Sequence, residues 1–171
     1  MSVVTTIITR HCTVHATDSF ITRAKQDGSL DIIEDQATKI IPVPKWRGAI
    51  CYWGLSRVEG TWDTVAWLSS KASTAESLGS AVAFAAHIAE GLNNEIYQLA
   101  VAKPIQRGLG MHFSTYECVG GYWIPELFLI SNWMDESYKE LSPGGFKATR
   151  ETYATLKGLK ERSDDHGKTE A

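Results

Sequence analysis

Between residues 78 and 99 the apolar side chains Leu78, Val82, Ala85, Ala89, Leu92, Ile96 and Leu99 recur at alternating spacings of four and three. That repeat follows one face of an α-helix, and a helix so striped must lay the stripe against a core. Its small members, Ala85 and Ala89, let the helix lie close to whatever it covers. The flanking sequence names the partner. Residues 3–9 (VVTTIIT) are β-branched throughout, and 11–17 (HCTVHAT) follow after a brief polar interruption, which predicts two short strands joined tightly. "QDG" marks a turn, "ATKIIPV" a strand, "PKWRG" another turn, and "AICYW" a strand ending at Gly54.

Thr61 is placed to cap a short helix (TWDTVAWLSSKA) and Thr74 to cap the long one. The β pattern returns in "LGMHFSTYEC" and, past Gly120 and Gly121, in "YWIPELFLISN". Residues 146–162 (FKATRETYATLKGLKER) read as a further helix and 163–171 as a polar tail. Segregated runs of strands, helices, strands and helix predict an α+β fold in one domain, residues 1–162, with helices covering sheet.

Composition narrows the function classes. The 171 residues are 43% hydrophobic, enough for one filled core, and the net charge of −3 is spread along the chain. No basic stripe invites nucleic acid or anionic lipid. Cys12, Cys51 and Cys118 are too few and too scattered for a disulfide framework or a structural zinc site. The expected state is free thiols in a reducing cytoplasm. No window approaches the roughly 18 apolar residues of a membrane span, and the start lacks the basic and apolar regions of a signal peptide. Neither cofactor nor metal is expected. His11 and His15, on a strand, would stand about 13 Å apart, too far to share an ion. His112 reads as an ordinary strand histidine. Tyr116, Tyr122, Trp123, Phe128 and Trp133 read as core, and "GLGMHF" lacks the Gly-Lys-Ser/Thr of a phosphate loop.

Chemistry enters at the start of the chain. Ser2 follows Met1, and removal of Met1 would make Ser2 a hydroxyl nucleophile carrying its own amine, of pKa roughly 8, as general base. Asp18 in "TDS" is suited to orient a cation, Lys39 in "ATKII" to lower the nucleophile's pKa, and a backbone N–H near Gly54 to hold an oxyanion. Singly, Asp18 reads as a turn residue, Lys39 as an exposed strand residue and Gly54 as a turn former.

The order TTII, ATDS, FIT, ATKII, WGLS and then two helices resembles the N-terminal half of proteasome β-type subunits and of the bacterial HslV peptidase, over about residues 2–132. The resemblance implies an N-terminal-nucleophile hydrolase that cleaves peptide bonds, built as an αββα four-layer sandwich. It implies assembly into a homo-oligomeric ring or related form, with an ATP-driven unfoldase as partner. By position, Asp18 matches the catalytic aspartate, Lys39 the catalytic lysine and Gly54 the oxyanion-hole glycine. Counting back from Asp18 places the nucleophile at Ser2; aligning "TTII" by its letters places it at Thr5. The chain departs from the family in two places: about five extra residues between Asp18 and Lys39 predict a longer hairpin at "KQDGSLDIIED", and where the family carries a D-x-S-G element with its supporting serine, "LISNWMDESY" offers Ser131 and Asn132 but no matching Gly. A non-catalytic structural subunit and a small-molecule amidase are the alternatives on the same fold.

Overall fold

A computed structural model of the chain describes residues 3–9, 11–25, 27, 29–102, 108–133 and 145–151. Its centre is a five-stranded antiparallel sheet formed by β5 (Ile40–Val43), β6 (Gly48–Gly54), β9 (Leu109–Val119), β10 (Tyr122–Ser131) and β11 (Lys147–Arg150), in the order β11-β10-β9-β6-β5. Three hairpins stand apart from it: β1 (Val4–Ile8) with β2 (Thr13–Thr17), β3 (Ile21–Ala24) with β4 (Leu30–Glu34), and β7 (Arg57–Val58) with β8 (Trp62–Asp63). The β3–β4 hairpin occupies the "KQDGSLDIIED" segment. Two α-helices complete the described residues, α1 (Thr64–Thr74) and α2 (Ala81–Ala102).

Strand alternation sorts the sheet's side chains onto two faces. Ile41, Val43, Ile50, Tyr52, Leu109, Met111, Phe113, Phe128 and Ile130 point one way and are buried with Leu68 of α1 and Phe84, Ala85, Ile88, Leu92 and Ile96 of α2 in one apolar core. Phe84 meets Phe113 edge-on at 5.2 Å, and Phe113 stacks on Phe128 at 5.6 Å. Each such side chain contributes about 1.5–3 kcal/mol through burial alone. The alternate residues, among them Cys51, His112 and Ser114, face the β1–β2 hairpin instead.

This layering corrects the αββα four-layer sandwich. Among the described residues strand outweighs helix, 46% to 29%. Both described helices pack into the single core on one face of the sheet, and a two-stranded ribbon, not a full second sheet, lies on the other. The predicted helix over 146–162 begins instead as β11, where Lys147–Arg150 pair antiparallel with Phe128–Ser131. Phe146 is buried and its N–H donates to Asn93 Oδ1 on α2, which anchors the chain for that pairing. The rest of that segment and the polar tail lie outside the described residues.

The helix starts also move. Asp63 rather than Thr61 caps α1, its carboxylate accepting from Ala66 N, because Trp62 and Asp63 first pair with Arg57 and Val58. Thr74 ends α1, and Ser80 Oγ accepts from Ala83 N at the start of α2. The buried face of α2 also takes in Ala81, Phe84 and Ile88, and Val82 is exposed.

Two prolines sit where a strand can lose an N–H. Pro42 lies on edge strand β5, and the ladder bond from Tyr52 N to Lys39 O fixes the alternation so that position 42 faces outward. Pro125 lies on β10 beyond the reach of β11, on the side that β11 would otherwise cover.

Candidate functional site

The β1–β2 hairpin is inverted relative to ordinary amphipathic ribbons. Its registered pairs Thr6↔His15 and Ile8↔Thr13 turn toward the sheet, whereas Ile7↔Val14 and Thr5↔Ala16 turn outward and are exposed. The contact with the sheet is therefore largely polar.

At the open end of the hairpin, Asp18 N donates to Val3 O at 3.2 Å, and Val3 N donates back to Asp18 Oδ1 at 3.4 Å. Asp18 Oδ1 also accepts from Lys39 Nζ at 2.7 Å, and the same ammonium donates to Phe20 O at 2.6 Å. Lys39 is 3% exposed, so the exposed-strand expectation for it is corrected. A lysine this buried stays charged at tolerable cost only when it is paired and hydrogen-bonded. The chain folds this way locally because Lys39 leads into β5, while Asp18 follows directly on β2.

Gly54 ends β6 at φ +93°, and a Cβ there would collide with the Gly108 carbonyl, so both backbone and space demand glycine. Tyr52 N donates to Lys39 O across the β5 edge and Leu55 N to Gly108 O on the opposite side. By alternation the Gly54 N–H points to the β5 side, past the lysine. Thr5 stands on the outward face of β1, paired with Ala16. Ser2 lies outside the described residues, next to Val3. The structure thus brings Asp18 and Lys39 together, runs the end of β6 beside the lysine, and sets Thr5 facing away from the sheet.

A second constellation sits under the middle of the hairpin. Thr6 Oγ1 lies 2.9 Å from His15 Nδ1, 2.9 Å from His112 Nδ1 and 3.7 Å from Cys51 Sγ. Cys51 Sγ is 3.1 Å from His15 Nδ1, and His15 Nε2 is 2.6 Å from Ser114 Oγ. Trp53 lies across Gly110, leaving no room for a Cβ there, and its indole meets the His112 ring edge-on at 5.1 Å. Burial pushes both imidazoles below their ordinary value, the nearby His112 adding to the effect at His15, and it pushes the Cys51 thiol up. Burial thus favours the neutral form of all three groups. Among the described residues no group of His, Cys, Asp and Glu is arranged to hold a metal ion. The Thr6 hydroxyl lies between the donors instead.

Sequence reasoning weighed His15 and His112 separately, read Cys51 only as a free thiol, and passed over Thr6 and Ser114. The available signal was the short turn between β1 and β2. Counting outward from it pairs Thr6 with His15, and parity along β6 and β9 puts Cys51, His112 and Ser114 on one face.

No family model, curated protein or solved structure matches this chain. No helix among the described residues is long and apolar enough to cross a membrane.

Proposed function

We propose that the chain is an N-terminal-nucleophile hydrolase that cleaves peptide bonds, with Ser2 as the nucleophile once Met1 is removed. The observation that carries this reading is the buried Lys39 ammonium, clasped by Asp18 at the place where Asp18 also binds both backbone groups of Val3, the residue after Ser2. A fixed cation beside an N-terminal hydroxyl favours the alkoxide and the developing negative charge. In this mechanism Ser2 Oγ attacks the carbonyl carbon and its proton passes through a water to the α-amine. Lys39 stabilises the charge and Asp18 holds Lys39. The Gly54 N–H receives the oxyanion, the leaving amine takes the proton from the α-ammonium, and water then releases the acyl group. The resemblance to proteasome β-type subunits and HslV supplies the rest of the proposal: a homo-oligomeric assembly in the cytoplasm, fed by an ATP-driven unfoldase.

The test is the intact mass of the native-terminus protein with and without a peptide epoxyketone, followed by fragmentation. This warhead needs both the hydroxyl and the free amine. The expected result is a chain beginning at Ser2 with the adduct on that residue. A chain that retains Met1 and takes no adduct overturns the reading in favour of a non-catalytic structural subunit. One observation favours that second reading: Asn132 Oδ1 accepts from Leu109 N and Ser131 Oγ from Trp133 N, so both residues at the supporting-serine position serve the local backbone.

A further inference from the structure

We propose that His15 and His112 form a proton-operated latch that holds the β1–β2 hairpin on the central sheet when both are neutral and releases it when they are protonated.

The argument starts from the hydrogens available. Thr6 has one hydroxyl hydrogen and faces two imidazole Nδ1 atoms at 2.9 Å. In one neutral assignment Thr6 donates to His112 Nδ1, Cys51 S–H donates to His15 Nδ1, and His15 Nε2–H donates to Ser114 Oγ. A first added proton, on His15, can be absorbed by turning its Nδ1–H toward Thr6 Oγ1. A second, on His112, leaves two imidazolium N–H groups aimed at one oxygen and sets two like charges beside each other. The partners recorded around the two rings are Thr6 of β1, Cys51 and Trp53 of β6, and Ser114 of β9, and none is an anion. The Asp18–Lys39 pair at the open end of the hairpin is already matched. Tyr116, at the turn end, accepts from Thr13 and donates to Thr9 O. Nothing in this set compensates added positive charge, and the hairpin turns mostly polar side chains to the sheet, Thr6, Thr13, His15 and Thr17 beside Val4 and Ile8.

The sign follows. Both rings lie below their ordinary 6.5 when docked, so the docked hairpin binds protons less well than a released one. Docking is at full strength above about pH 6.5 and weakens as the pH falls through that value toward the lower docked ones. On the hydrolase reading, release also carries Asp18 away from Lys39.

The experiment is hydrogen exchange on the full-length protein between about pH 7.5 and 5, corrected for intrinsic rates and comparing β1–β2 amides with those of β9. Its readout does not depend on activity, so its failure is separate from failure of the hydrolase reading. The expected result is loss of protection confined to β1–β2, steepening toward a hundredfold per pH unit as two protons are taken up, about tenfold for each. His112→Asn, which keeps a hydrogen-bonding atom near Thr6, should reduce the limiting slope to one proton. Exchange that rises equally in β9, or a slope unchanged by His112→Asn, overturns the latch. If that variant does not fold, imidazole NMR titration of the unaltered protein decides. Midpoints below 6.5 for both rings that track hairpin release support the latch, and midpoints at or above 6.5 overturn it.

Discussion

On one side of the central sheet Tyr52, Met111, Phe113, Phe128 and Ile130 close against two helices. On the other, the alternate residues of the same strands, Cys51, His112 and Ser114, meet Thr6 and His15 of a two-stranded ribbon. The helix side is held by apolar burial, which is non-directional and indifferent to pH. The hairpin side is held by a few directed bonds, each dependent on one hydrogen being in one place. The candidate chemistry lies on the second side, where geometry is fixed most specifically and stability is most conditional.

The largest stability effect should come from the helix side. Phe113→Ala, at the centre of the ring stack, should cost about 3–5 kcal/mol in denaturant unfolding, with the same loss at neutral and mildly acid pH. A loss that grows on acidification would show that the two faces are coupled. Asp18→Asn follows, at about 3 kcal/mol, because it strands a buried ammonium. Epoxyketone labelling should fall with it, whereas Thr5→Val, on the outward face, should leave labelling intact. A Thr5→Val protein that loses its adduct would move the nucleophile to Thr5.

Ser114→Ala should cost about 1–2 kcal/mol, since it removes the partner of His15 Nε2. It should loosen hairpin amides more than those of α2, as read by exchange. Smallest is Val82→Ala, on the exposed side of α2, which should stay within about 0.5 kcal/mol in thermal unfolding. A larger cost there would mean that this side of the helix is covered.

What could be read in the sequence divides along the same line. The α2 stripe was legible because burial on one face imposes a period. Ala85, Ala89, Leu92, Ile96 and Leu99 are all buried, and Val82 alone of the stripe's helical members is exposed. The strand ending at Gly54 was legible from its composition and its glycine. Lys39 was not, because residue type predicts exposure and only a partner 21 positions away reverses it. Residues 147–150 belong to the 146–162 stretch that reads as helix, yet an open stretch of β10 recruits them as a strand, a tertiary effect that local pattern cannot express. The four-layer expectation failed for a related reason. Element order fixes neighbours along the chain, and the number of layers depends on which faces find cover.

Pro42 and Pro125 bear on how copies of this molecule can meet. Each removes a hydrogen-bond donor from the outward side of an outer stretch of the sheet. An incoming strand would find a donor missing at Pro42 on the β5 edge and at Pro125 on the stretch of β10 that β11 does not cover, which disfavours lengthening of the sheet at those two places, the route by which β-rich chains aggregate.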